Sequence, residues 1–250
     1  MEAIEAPPLI RIPNFLPGIS GAFIPDHVVM TWIVMAFLIG VSYLATRRLT
    51  AVPGPIQNVL ETVVEAFTEV LDSFIGPEGR RYLPLIGSAG LLIFFSNILI
   101  LIPGLRCPTA NLNTTAALAL IIFVSYHYFG VRKQGLLTYL KHFLGPVGHL
   151  PKVLLIAMGW ILVPAFILVE VIGHLARILS LSFRLFGNIF GEDTVFLFLL
   201  FLTTVMPPIY VMTPLISPLI IFTGLVQAVI FVMLSTIYIA GAVETHDEGH

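Results

Sequence analysis

The sequence alternates long apolar segments with short polar connections. About 20 apolar residues in a helix cross the roughly 30 Å hydrocarbon core of a bilayer, so each segment of at least that length is a predicted membrane span. The pattern predicts an all-α membrane protein with five transmembrane helices in a single polytopic membrane domain, residues 27–242. The predicted spans are residues 27–46, 82–103, 114–131, 152–206 and 209–242.

One further segment, residues 56–75, is predicted to be an amphipathic interfacial helix. Its apolar residues recur at helical spacing, and its acidic residues occupy another face. That many charges prevent the helix from spanning a membrane. We expect it to lie in the interface against a protein partner, with a solvated helix face as the alternative. The acidic residues are Glu61, Glu65, Glu69 and Asp72.

The predicted span at residues 152–206 is too long to stand upright in a bilayer. A helix of about 50 residues is roughly 75 Å long, whereas the hydrocarbon core is about 30 Å thick. Such a helix must incline beyond the usual range of about 40° or less, or break, and Pro164 offers a place for a kink. Residues 209–242 are also longer than an upright span needs. We therefore expect the last two helices to be strongly inclined and packed together.

Composition supports a membrane protein and excludes several other classes. Hydrophobic residues make up 58% of the chain and charged residues 10%, whereas an average soluble domain has roughly 25% charged residues. No basic patch favours nucleic acid as a partner, and the single Cys107 excludes an internal disulfide. The sequence has no HExxH motif and no phosphate-binding loop. We predict no catalytic centre, no metal and no cofactor.

The positions of Lys and Arg predict the orientation of the chain. Eight of the 12 lie in connections on one side, two lie on the other side, and two lie within the membrane. Because cytoplasmic loops are enriched in these residues, the N-terminal segment, residues 1–26, is predicted to be external and the tail, residues 243–250, cytoplasmic. The eight residues are Arg47, Arg48, Arg80, Arg81, Arg132, Lys133, Lys141 and Lys152.

Polar and ionisable residues cluster between residues 170 and 193, although a charge at the bilayer centre costs roughly 2.5–3.5 kcal/mol or more. At about 100° per residue, six of them share one helix face about 80° wide, and Asp193 falls roughly 140° away from it. Lipid cannot satisfy such a face, so it must meet water, protein or another ionisable group. The six residues are Glu170, His174, Arg177, Arg184, Asn188 and Glu192.

Arg184 is the charged residue on this face that lacks a local acidic partner. The residues four positions before and after it, Ser180 and Asn188, are neutral, so we expect its acidic partner on another subunit. Arginine stays protonated in proteins, so it can attract a carboxylate without passing on its proton. For Glu170 and Arg177, structural pairing with each other and with His174 is the alternative to a functional role.

The last apolar segment contains a single amide, Gln227. One interpretation is an interhelical hydrogen bond, typically worth about 0.6 kcal/mol in membranes. The other is a group that lines a polar pathway opposite Glu192 or Asn188, and we favour this second interpretation.

Three separate motifs resemble one protein family. SLSFRLFGNIFGE, residues 180–192, is similar to the characteristic motif of subunit a of F-type ATP synthases, the membrane stator beside the rotating ring of subunit c. Residues 103–120 resemble the family's loop and following helix, and LVQAVIFVMLSTIYI, residues 225–239, resembles its final helix. The resemblance implies an ion-translocating, non-catalytic stator subunit that couples proton flow through two half-channels to ring rotation and ATP synthesis.

The resemblance also implies roles for individual residues. Arg184 takes the place of the arginine that faces the carboxylate of the rotor ring. Counting without a gap places Asp193 at the family's acidic position, whereas alignment of the Gly-Glu pair chooses Glu192, which the helix face also favours. Ile220 stands where some members have His or Glu, and this chain departs from them there. The implied proton path comprises Arg184, Glu192, Asp193, Asn188, Gln227, Glu170, His174 and Arg177.

The implied partners are the ring of subunit c, the peripheral stalk subunit b, the whole ATP synthase complex, membrane lipid and translocated H⁺, with Na⁺ left open. The implied location is an energy-transducing membrane, which we take to be a bacterial inner membrane. A secondary transporter or an ion channel acting alone is the main alternative, although we find no internal repeat of the kind such transporters have. An intramembrane metal enzyme at Glu170 and His174 would lack a third ligand.

Overall fold

The computed structural model describes residues 25–47, 50, 53–102, 105, 107–142, 152–205 and 212–243. Within these ranges the chain forms seven α-helices and three short 3₁₀ segments, and no strand. Most of the predicted external segment and tail, residues 1–24 and 244–250, lie outside the described residues. The helices are α1 (Asp26–Thr46), α2 (Pro55–Ile75), α3 (Leu83–Ile98), α4 (Leu112–Gln134), α5 (Leu136–His142), α6 (Lys152–Val205) and α7 (Met212–Val243).

Five described segments are long and apolar enough to cross a membrane, which confirms the prediction of an all-α membrane protein with five such helices. The helix α2 is not one of them, because its acidic residues keep it amphipathic, and Glu61, Glu65 and Glu69 are exposed. The five segments are His27–Thr46, Pro77–Leu101, Leu112–Gln134, Trp160–Glu192 and Ser217–Val243.

The helix α6 is continuous over 54 residues, with Pro164 inside it. At 1.5 Å per residue it is about 81 Å long, so it must be strongly inclined to follow a bilayer whose core is about 30 Å thick. Of the two alternatives that the sequence left open, inclination and a break, the structure has the unbroken helix. The helix α7 has 32 residues and contains Pro218.

The core lies where α3, α4, α6 and α7 meet. Leu181, Leu185 and Ile189 follow each other at intervals of four residues on α6, so they lie on one side of the helix, and all three are buried. They pack with Ile122 of α4 and Phe231 of α7 in one apolar cluster. This contact fixes the rotation of α6 about its own axis, and therefore fixes where its polar residues point.

The ends of three helices meet on one side of the bundle. The Lys133 Nζ atom at the end of α4 lies 2.9 Å from Glu78 Oε2, in the 3₁₀ segment that leads into α3. The Gln134 side chain donates a hydrogen bond of 3.0 Å to the carbonyl of Ala242, at the end of α7. Arg80, Arg81 and Arg132 therefore lie on the same side as Lys133, as the grouping of the cations predicts.

Candidate functional site around Arg184

The polar face of α6 lies partly on the side of the helix that packs against other helices and partly on the exposed side. On a wheel of about 100° per residue, Leu185 lies about 60° from Glu170, so the buried side overlaps part of the polar face. His174 and Glu192 lie about 40° from Glu170 in the direction of Leu185, on the buried side. Arg184 lies about 40° from Glu170 in the opposite direction, away from the buried side. Accordingly His174 is buried, Glu192 is half-buried and Arg184 is exposed.

The position of Arg184 is set by the packing of the neighbouring Leu185, and not by a contact with an acidic side chain. The next residue, Leu185, is completely buried in the core. The guanidinium makes one weak contact, in which Nη2 donates to Ser180 Oγ at 3.5 Å. No carboxylate of the described residues lies within 4.0 Å of it. The structure thus presents a permanent cation on the exposed side of α6.

Asn188 and Gln227 form a direct bridge between α6 and α7. The Asn188 Nδ2 atom donates to Gln227 Oε1 at 2.6 Å, and Gln227 is only 3% exposed. Both interpretations of Gln227 were compatible with such a contact, since it is an interhelical hydrogen bond and it also lies opposite Asn188. One turn before it, Gly224 lies against Asn97 of α3, which is buried as well. Gln227 thus contacts Asn188 of α6 through a hydrogen bond, and α7 packs closely on Asn97 of α3 one turn earlier.

Glu192 is half-buried and lies next to Thr223 of α7. The Thr223 hydroxyl donates to the Leu219 carbonyl at 2.9 Å, within its own helix. Ile220, at the position where this chain departs from some members of the family, is buried. The side chain of Asp193 is outside the described part of the structure, so the choice between the two acids stays a prediction.

At the other end of the face, Glu170 pairs with His174. The distance from His174 Nε2 to Glu170 Oε1 is 3.2 Å, and His174 Nδ1 lies 2.7 Å from the hydroxyl of Tyr126 on α4. A carboxylate accepts hydrogen bonds, so Nε2 carries a proton, and in the neutral ring Nδ1 accepts from Tyr126. Arg177 does not join this hydrogen-bonded pair, and its guanidinium instead lies over the ring of Tyr238, 5.6 Å from the centroid.

The surroundings of His174 contain groups that the sequence did not single out. The His127 ring centroid lies 4.9 Å from that of His174 and 5.9 Å from that of Tyr139, which belongs to α5. Burial raises the pKa of the Tyr139 phenol. Adjacent Tyr126 and His127 in an otherwise apolar segment were the available signal, but only the packing of α4 on α6 brings them to His174.

The described residues contain no group of three or more His, Cys, Asp or Glu side chains that could hold a metal ion. The described part of this region has a cation with no carboxylate within 4.0 Å, a bridged amide pair, and one carboxylate toward each end of the polar face.

Comparison with known proteins identifies the family. Residues 28–240 match the family described as "ATP synthase A chain". The chain is 46% identical over 218 residues to ATP synthase subunit a 1 of Syntrophotalea carbinolica, covering 87% of this chain and 86% of the relative. It is 42% identical over 243 residues to ATP synthase subunit a of Helicobacter pylori, covering 97% and 98% of the two chains. These matches extend over nearly all of the membrane region, and the chain therefore belongs to the ATP synthase A chain family, as an integral membrane a subunit of the F-type ATP synthase complex.

Proposed function

We propose that this chain provides two proton half-channels and that Arg184 separates them while facing the ion-carrying carboxylate of the subunit c ring. The observation that carries the proposal is the exposed Arg184 guanidinium, which within the described residues makes one weak hydrogen bond, to Ser180. A permanent cation at membrane depth needs a counter-charge. A carboxylate on the neighbouring ring would supply it.

The polar groups on both sides of Arg184 are placed to serve the two half-channels. Glu192 follows Arg184 by eight residues and Glu170 precedes it by 14, or about 12 Å and 21 Å along the helix. The two acids therefore lie about 33 Å apart along the inclined helix, so they can serve half-channels that open at separate places. We assign Glu192, Asp193, Asn188 and Gln227 to the outer path, and Glu170, His174 and Arg177 to the inner path.

In this mechanism a proton enters by the outer path and neutralises a ring carboxylate, which can then face lipid. After nearly a full rotation, a carboxylate reaches the inner path and releases its proton there. After release and before the next protonation the carboxylate is ionised, and Arg184 stabilises it there, since two charges about 4 Å apart attract by about 4 kcal/mol at an effective dielectric constant near 20. Each proton that crosses 100 mV releases about 2.3 kcal/mol.

The remaining parts of the proposal concern the assembly. We place the N-terminus outside and the C-terminus in the cytoplasm of a bacterial inner membrane, supported by the clustering of Arg80, Arg81, Arg132 and Lys133 at one end of the bundle. The subunit is non-catalytic, and ATP chemistry takes place in other subunits. Its partners are the ring of subunit c and the peripheral stalk subunit b, and α2 lies against a protein partner.

The test is Arg184→Ala in the whole ATP synthase, assayed in inverted membrane vesicles. We expect proton-driven ATP synthesis to be lost, because the ring carboxylate loses its counter-charge, and passive proton conduction to rise or persist. Arg47→Ala is the matched control, since Arg47 is an exposed arginine at the end of α1. Coupled synthesis that survives Arg184→Ala would refute the proposed role.

A further inference from the structure

A cleft lined by three cations lies where the start of α3 meets the end of α4. Its volume is about 390 Å³, and Arg81, Tyr82, Phe129, Arg132 and Lys133 line it. Clefts of about 300–1,000 Å³ are typical of small-ligand sites. The cleft is remote from Arg184 in the sequence and uses none of the residues assigned to the proton path.

The charges around this cleft do not cancel. Glu78 is the neighbouring carboxylate, and its Oε2 atom accepts from both Arg81 Nη2 and Lys133 Nζ, each at 2.9 Å. Arg132 donates instead to the neutral hydroxyl of Tyr128 at 3.3 Å, and no described carboxylate lies within 4.0 Å of it. Three cations thus share one anion, which leaves an excess of positive charge facing the cleft.

The adjacent Arg80 shows the contrast. Its guanidinium makes a double contact with Asp72, with Nη2 at 2.8 Å from Oδ2 and Nε at 3.2 Å from the same oxygen. The charge of Arg80 is thus neutralised by Asp72, and Arg80 does not line the cleft. The 3₁₀ geometry of residues 77–82 therefore directs Arg80 toward α2 and Arg81 toward the cleft, although the two are neighbours in sequence.

The floor of the cleft is aromatic. The rings of Tyr82 and Phe129 lie 4.6 Å apart between centroids, and the Arg81 guanidinium carbon lies 5.0 Å from the Tyr82 ring centroid. Tyr82 is buried and so forms a fixed wall. Aromatic and cationic groups together at the ends of membrane helices suit a ligand with an anionic head and an apolar body.

We propose that this cleft binds a phosphoryl anion, presented by the headgroup of an anionic phospholipid. Arginine and lysine are the usual ligands of phosphate oxygens, and basic pockets between helices on the cytoplasmic side are suited to such headgroups. The site is independent of the proton path, so it holds or fails separately from the role of Arg184. Inorganic phosphate shares the same chemistry and is the other source that the experiment distinguishes.

The test measures lipid binding to the full chain in detergent by native mass spectrometry. Phosphatidylglycerol, phosphatidylcholine with the same acyl chains, and inorganic phosphate are titrated separately. We expect one saturable phosphatidylglycerol site, weakened about fivefold by Arg132→Gln and again about fivefold when Lys133→Gln is added. Arg132→Lys keeps the charge and should retain most of the binding. Arg47→Gln removes an exposed arginine outside the cleft and should have little effect.

Each outcome decides the matter. Stronger binding of phosphatidylglycerol than of inorganic phosphate identifies the lipid as the source. Binding of inorganic phosphate without binding of phosphatidylglycerol, weakened by the same variants, would overturn the lipid assignment and identify the free anion as the ligand. Binding of phosphatidylglycerol that Arg132→Gln leaves unchanged would overturn the site. Equal binding of phosphatidylcholine, or an equal loss in Arg47→Gln, would also overturn it, since either shows unspecific attraction.

Discussion

Gly224 is the point where α7 comes closest to Asn97 of α3, and Gly224→Ala tests this contact. An added Cβ atom would lie 2.9 Å from the Cβ atom of Asn97 and 3.4 Å from its Nδ2 atom. Ordinary contacts begin near 3.4 Å, so the helices must separate by about 0.5 Å. The Asn97 Cβ is attached to the backbone and cannot rotate away, so the strain falls on the helix pair.

The expected cost follows from these distances. Overpacking of this kind costs about 1–3 kcal/mol, and the gain in helix propensity from Gly to Ala offsets up to about 1 kcal/mol. Gly241 lies on the same helix with no atom within 4 Å of an added Cβ. Gly241→Ala therefore gains helix propensity without the overpacking cost. Gly224→Ala should therefore be less stable than Gly241→Ala by about 1–3 kcal/mol.

Thermal unfolding of the two variants in detergent, followed by circular dichroism, measures this difference. Passive proton conduction in vesicles stripped of the catalytic sector measures its functional consequence. Conduction should fall in Gly224→Ala, because Gln227 lies one turn away and moves with the helix. Equal or greater stability of Gly224→Ala would show that α3 and α7 are not in the close contact described.

Two further predictions concern the two ends of the polar face. Glu192→Gln should slow passive proton conduction more than Asp193→Asn, because Glu192 lies on the polar face of α6; the opposite order would assign the path to Asp193. Tyr126→Phe removes the hydrogen bond to His174 and should slow coupled proton flow about two- to tenfold, from a bond worth about 0.5–1.5 kcal/mol. Tyr43→Phe, at an exposed position on α1, is its control, and equal rates in the two variants would argue against a relay through His174.

The polar face of α6 shows how much can be predicted from the sequence alone. Helical periodicity placed Arg184, Asn188 and Glu192 on one face, and counting the neighbours four residues away showed that Arg184 lacks an acid on its own helix. Both conclusions depend only on the geometry of a single helix, which is fixed locally by backbone hydrogen bonding. The same holds for the amphipathic α2 and for the lengths of the membrane helices.

Pairings between helices were decided by the tertiary structure. Asn188 and Gln227 are 39 residues apart, and Tyr126 and His174 are 48 residues apart. Whether such residues meet depends on the rotation and crossing of two helices, which the packing around Leu185 sets and no local pattern specifies. The sequence also left open whether Glu170, His174 and Arg177 neutralise one another, because all three share the polar face of α6 and the pattern alone does not say which of them meet.

The sequence by itself determined the number and length of the apolar helices, the polar face of α6 and the isolation of Arg184, since these follow from the order of residues within one helix. The tertiary structure alone decided which amide Gln227 meets, how α4 brings Tyr126 to His174, and that Arg81, Arg132 and Lys133 surround one cleft. These arrangements arise because burial of the apolar sides fixes the helices relative to one another, and the polar groups are carried to their places by that packing.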